Sequence, residues 1–319
     1  SNFRVRNFET NKTEKLLIND LNWVYDDPFL DKFYEGKFLA KFKNLNYETK
    51  NIKKFKEEPT SELFGALGYL ASVDLFKREN NQISHFLTPK LLMRYSPNHM
   101  RKDTSDVILR DKDIFSLDRL GNSKNFESGS NVTVGFNYKQ LNNEKEFNFS
   151  IGQIINEKKN NNKIPSSSSL DERFSDVVGN MSFNNNENFK LDYDYSINQN
   201  FDKMSYNKLS ADFKTDSINF NLDYLEENNI SENKEYVTSA IEYKKGQNGL
   251  FAFRNKRNLI TNSSEYYKLS YEYINDCLRA GLIYRREFYN DSELEPENSL
   301  IFTITLSPFG SLTSPGFSQ

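Results

Sequence analysis

The stretch SINFNLDY, residues 217–224, decides the fold. Ile218, Phe220, Leu222 and Tyr224 fall at one parity, Asn219, Asn221 and Asp223 at the other. Side chains of a β-strand alternate between two faces, so this segment is apolar on one side and wet on the other. Packed into a soluble core, the wet side would leave amides and a carboxylate without partners. The wall of a membrane barrel needs such a strand, with lipid on one face and a hydrated interior on the other.

The same alternation recurs along the chain at intervals of eight to twelve residues. Phe147, Phe149 and Ile151 make one apolar row, Leu191, Tyr193, Tyr195 and Ile197 a second, and Leu300, Phe302, Ile304 and Leu306 a third. Their alternates include Asn148, Ser150, Asp192 and Asp194. Counting such segments predicts about sixteen strands. Short, Asn-rich connections, as at 142–144 and 184–187, alternate with long ones at 96–128, 156–174, 225–234 and 287–298. Outer-membrane barrels have short periplasmic turns and long external loops, and a last strand descending to the periplasm satisfies both patterns at once. The fold class predicted is all-β, a transmembrane antiparallel β-barrel. A soluble sandwich or propeller is the alternative, disfavoured by the polar alternate face and by the lack of a blade-length repeat.

Composition agrees. The 319 residues carry 42 basic and 45 acidic side chains, a net charge of -3 that suits no nucleic-acid partner. Mean hydropathy is -0.77, and no run of apolar residues is long enough for a transmembrane helix. Phe and Tyr, 27 and 18 in number, are strand and interface residues. Two His and one Cys leave few soft ligands, so neither a metal nor another cofactor is expected. The first residues, SNFRVRNFE, read as a strand and not as a signal peptide, so an export signal is expected to have been removed or left out.

Register assigns the charges. In 277–286, Leu278, Ala280, Leu282 and Tyr284 alternate outward, which turns Arg279 and Arg285 inward with Gly281 and Ile283. An Arg facing lipid at mid-membrane would cost roughly 2–4 kcal/mol. Asp192, Asp194 and Asp223 are placed on the lumen side by the same parity. In the long 96–128 connection, Asp118, Arg119 and Glu127 could support acid–base chemistry, but no nucleophile set converges on them. His85 and His99 flank or lie in loops. The reading preferred is an internally salt-bridged loop folded over or into the lumen, and the protein is expected not to be an enzyme.

Several segments then resemble one family. HFLTPKLLMRYSP at 85–97 and IFSLDRLGNSKNFESGSNVTVGFNY at 114–138 come first; FSIGQ at 149–153 and ERFSDVVG at 172–179 follow. The last is NDCLRAGLIYRREFYNDSELEPENSLIFTITLSPFG at 275–310. Order and content resemble the LptD family, outer-membrane proteins that assemble lipopolysaccharide, with Pro89, Arg94, Tyr95, Asp118, Arg119, Glu127 and Gly129 as the matching motif residues.

The resemblance implies translocation of lipopolysaccharide into the outer leaflet through a barrel of 26 strands. Residues 1–310 would be its C-terminal portion and 311–319 a flexible tail; a periplasmic jellyroll and the first strands would lie outside this chain. It also implies outer-membrane lipid around the wall, an LptE-like plug lipoprotein, and periplasmic bridge proteins reached through the jellyroll. The last strand would form one side of a lateral gate. Its candidate residues are Ser299, Leu300, Ile301, Phe302, Thr303, Ile304, Thr305 and Leu306, with Pro308, which lacks an N–H, ending it. The family pairs two adjacent cysteines with periplasmic ones; here only Cys277 matches, Leu278 replacing the second, so one disulfide to a partner outside the chain is implied. Two other readings stay open. A general porin or uptake channel would be a sixteen-strand barrel closed on itself, with a constriction loop of opposed charges. An enzyme barrel would need a convergent triad at its rim.

Overall fold

The computed structural model describes residues 2–8, 11–28, 34–52, 55–79, 83–97, 100–103, 105–159, 163–186, 188–228, 232–288, 298–306, 310–313 and 317–318. Six strands precede the longest connection: β1 (Asn2–Phe8), β2 (Lys12–Asp26), β3 (Tyr34–Lys50), β4 (Thr60–Val73), β5 (Leu75–Glu79) and β6 (Ile83–Ser96). After it come β7 (Gly129–Asn142), β8 (Lys145–Asn156), β9 (Val177–Asn185), β10 (Phe189–Ile197), β11 (Met204–Lys214), β12 (Ile218–Asn228) and β13 (Asn233–Lys245). Then follow β14 (Gly249–Asn258), β15 (Ser263–Ile274), β16 (Leu278–Glu287), β17 (Asn298–Leu306), β18 (Gly310–Thr313) and β19 (Phe317–Ser318). All nineteen strands of the described residues belong to one sheet.

Pairing is antiparallel and follows chain order, as up-and-down hairpins require. The tight turns rest on residues that tolerate a left-handed backbone: Asn11, Asn143, Asn186 and Asn262, with φ between 50° and 55°, and Gly246 at 65°. β4 and β5 are separated only by Asp74, which accepts a 2.7 Å hydrogen bond from Thr88 Oγ1. β5 nonetheless continues the ladder of β4 along β6 without a change of register.

The two faces differ as lipid and water demand. Leu21, Trp23, Phe42, Leu67, Met93, Phe213, Phe253, Leu282 and Phe302 all stand exposed on one face. A belt this extensive marks a membrane-facing surface. The opposite face carries Lys43, Arg94, Thr133, Asp192, Asp223 and Arg279, along with the buried residues that receive the 97–128 segment. It is called the inner face below.

This architecture corrects the expectation of a C-terminal share of a 26-strand barrel. The strands make a single barrel-like sheet spanning nearly the whole chain, and its last long strand is not an open edge. β17 pairs with β16 from Leu278↔Leu306 to Arg286↔Asn298. Its other side pairs with the chain's own tail, Leu306↔Gly310 to Thr303↔Thr313 and then Ser299↔Ser318 and Leu300↔Phe317. Of the segment 311–319, read as a flexible tail, residues 311–313 and Phe317–Ser318 are strand that lies along this edge.

Candidate functional site

The 97–128 connection does not stand off from the sheet; it packs onto the inner face. Leu117 and Phe126 join Leu16, Ile18, Leu45, Phe64 and Leu92 in one buried cluster drawn from β2, β3, β4 and β6. Met100, Leu109, Ile114 and Leu120 join Ile154, Ile164, Leu170 and Val178 in a second, which also ties in the 157–176 connection. Burying each such side chain is worth about 1.5–3 kcal/mol, enough together to hold the segment in place. Two wall glycines make the approach possible. A Cβ on Gly68 would lie 2.6 Å from Leu117 Cδ2, and one on Gly152 would lie 2.9 Å from Ile114 Cδ1.

Charge fixes what the apolar contacts position. Arg94, on β6, donates from Nε to the Leu117 carbonyl at 2.8 Å, from Nη1 to the Gly129 carbonyl at 3.1 Å, and from Nη2 to the Glu127 carbonyl. Arg119 donates from Nε to Glu127 Oε2 at 2.8 Å and from Nη2 to Glu127 Oε1. Arg94 Nη1 lies 3.6 Å from Glu127 Oε1, and all three side chains are within 1% of full burial. Burial opposes ionisation of Glu127, but Arg119 and Arg94 outweigh it and hold its pKa below the usual carboxylate range.

Lys43, on β3, reaches Asp118 Oδ2 at 3.1 Å and the carbonyls of Asn122 and Asn125 at 2.7 and 2.9 Å. Arg101 pairs with Glu62 and lies over the rings of Phe55 and Tyr47 at 4.8 and 5.1 Å, while Lys124 pairs with Glu14. Asp103 also has a lowered pKa. Burial raises it, but hydrogen bonds from Ser105, Asn122 and Asn125 prevail. At the far end Arg110 donates to Glu227 at 3.1 Å, over the ring of Tyr206 at 4.6 Å. The segment is therefore pinned from β2 to β12.

The motif residues separate into two groups. Arg94, Asp118, Arg119, Glu127 and the Gly129 carbonyl meet in this network, whereas Pro89 and Tyr95 point away from it on the opposite parity of β6 and are exposed. Lys43, Glu14, Glu62, Arg101 and Arg110 escaped the sequence reading. Nothing local marks a side chain whose partner lies 75 residues away.

Beyond the segment the inner face is open and polar. Asp194 accepts from Asn180 at 2.7 Å, Asp192 pairs with Lys190 at 3.1 Å, and Asp223 accepts from Ser210 at 2.7 Å. Arg279 donates from Nε to Glu272 at 2.9 Å, and Arg285 pairs with Glu287. No group of three or more His, Cys, Asp or Glu suited to a metal occurs among the described residues. His99 and Pro308 lie outside those residues.

Three expectations tied to the family resemblance are corrected here. Ser299, Leu300, Ile301, Phe302, Thr303, Ile304, Thr305 and Leu306 all pair with β16, and Ser299, Leu300 and Thr303 to Leu306 pair on the other side with the tail, so lipopolysaccharide translocation through a lateral gate loses the free edge it needs. The partners that went with it, lipopolysaccharide, an LptE-like plug and periplasmic bridge proteins, fall too, and the chain's own 97–128 segment covers the inner wall. Cys277, the only cysteine, is a free and exposed thiol in the turn before β16, its N–H donating to Asn275 Oδ1 at 3.0 Å, so the disulfide expectation is corrected as well. Protein from non-reduced membranes is expected to take up one maleimide per chain at Cys277. Labelling that requires prior reduction would contradict this.

A protein-family profile described as LptD, LPS transport system D, matches residues 69–266. No curated protein matches the chain. Among solved structures, two mutants of the Rh. blastica porin align with 92% of this chain and 93% of theirs at 10% identity, with TM-scores of 0.34 and 0.35. A triple mutant of the Rhodopseudomonas blastica porin aligns over 94% of this chain and 100% of that one at 11% identity, with a TM-score of 0.31.

Proposed function

We propose that this chain, which belongs to the LptD family, forms a hydrated passage for small polar solutes, narrowed by its own 97–128 segment. It is a multi-pass β-barrel of the outer membrane. The observation that carries the proposal is the division of the inner face. A buried network anchors the segment from β2 to β12, while Asp192, Asp194, Asp223, Arg279 and Arg285 line wall that is left wet. In this reading those charges face the lumen and set which solutes pass. The end with long connections is external and the end with short turns periplasmic.

Reconstitution of the chain alone into liposomes tests the proposal. Isotonic solutions of small neutral sugars are expected to swell the vesicles, at rates that fall as the sugar grows. Swelling no faster than in protein-free liposomes would reject the passage.

A further inference from the structure

The inner face of β14, β15 and β16 carries three cations in one cross-strand row. Arg254 pairs in register with Lys268, and Lys268 with Arg285. Adjacent strands lie about 4.8 Å apart, and like charges set directly opposite one another destabilise a sheet. Other cations of this wall are neutralised one by one. Lys256 pairs with Glu265 at 2.6 Å and Arg279 with Glu272, while within the row Arg285 has Glu287. Among the described residues, Arg254 and Lys268 have no ion pair. With Tyr266, Ile283 and Ile301, the row borders a cavity of about 270 Å³.

We propose that this row binds a small dianion of the phosphate class, taken from the solution in the lumen. Two uncompensated charges plus Arg285 match a dianion in magnitude, and a bound oxyanion removes the repulsion that the row otherwise suffers. Two guanidiniums offer planar forks suited to phosphate oxygens, and the ammonium between them a compact charge. The apolar parity of the same strands, Phe253, Leu269 and Leu282, faces the membrane, so a lipid headgroup is the wrong source. Ile283 and Ile301 limit water on one side and strengthen the interaction. As a lumen site, it rests on the passage reading above.

The test titrates inorganic phosphate into the refolded full chain in zwitterionic vesicles by isothermal calorimetry, with bilayer reversal potentials measured in parallel. Saturable binding is expected, weakened about tenfold or more in Arg254→Gln/Lys268→Gln, since charge-assisted hydrogen bonds are lost. The variant should lose anion preference in the reversal potential. Lys158→Gln, an exposed side chain far from the row, should match the wild type in both measurements. Heat-modifiable gel mobility reports that each variant has folded; should the double variant not fold, Lys268→Gln alone should weaken binding while Lys268→Arg, which keeps the charge, should retain it. Wild-type binding without any conductance would leave the site standing and remove the passage. Conductance with no phosphate binding, or binding unchanged in the double variant, would overturn the site. Competition by phosphatidylglycerol added to the vesicles would overturn the lumen source.

Discussion

Glu127→Ala is expected to release the 97–128 segment from the inner wall. The substitution leaves the guanidiniums of Arg94 and Arg119 buried without their shared carboxylate, and breaking a buried ion pair from one side costs about 3–5 kcal/mol. The carbonyl hydrogen bonds to Arg94 remain, so the loss falls on the side-chain network. Trypsin should cut the variant within the segment, for instance at Lys112, while the folded barrel persists on an unheated gel. A wild-type digestion pattern would contradict the assignment. Acid should do the same more gently. The lowered pKa of Glu127 means that its contribution is fully present above the ordinary glutamate value of about 4.3 and is lost as pH falls through the lower value of the folded state. Cleavage of the wild-type segment by pepsin, which works in acid, should therefore begin only below that ordinary range, and Glu127→Gln should already be open to trypsin at neutral pH.

Phe126→Ala is the second large effect. Its ring is 1% exposed, packed with Leu16, Leu45, Phe64, Leu92 and Leu117, and carries the Lys43 ammonium 5.5 Å from its centroid. Truncating a buried Phe typically costs about 3–5 kcal/mol, and here the cavity opens beneath Lys43, whose bond to Asp118 crosses the same spot. Hydrogen exchange should accelerate at 100–128 and leave the amides of β11–β16 protected. Uniform acceleration across the sheet would show instead that the segment is part of one cooperative unit with the wall.

How much of this was legible from sequence depended on whether the information was local. Alternation is local, and residues 217–224 announce their strand because lipid and water impose opposite chemistry on successive side chains. The break at Asp74 was not legible, since the parity of Leu75–Glu79 continues that of Thr60–Val73 and only the Thr88 hydrogen bond reveals the interruption. The acidic and basic residues of SLDRLG and Glu127 could be read as a salt-bridged loop, but Arg94 drew notice only as a motif residue, and Lys43 not at all. Their partners are set by where the segment lands on the sheet, which no periodicity encodes. The gate reading failed at the tail. Gly310–Thr313 and Phe317–Ser318 are rich in Gly, Ser and Thr and resemble a flexible end, and their pairing with β17 is a long-range event that composition does not announce.

The most direct test of the passage is single-channel recording in planar bilayers, comparing the full chain with Glu127→Ala. Discrete, ohmic steps are expected for the wild type and larger steps for the variant, because the released segment no longer narrows the lumen. Absence of steps in the wild type, or steps of equal size in both, would contradict the passage.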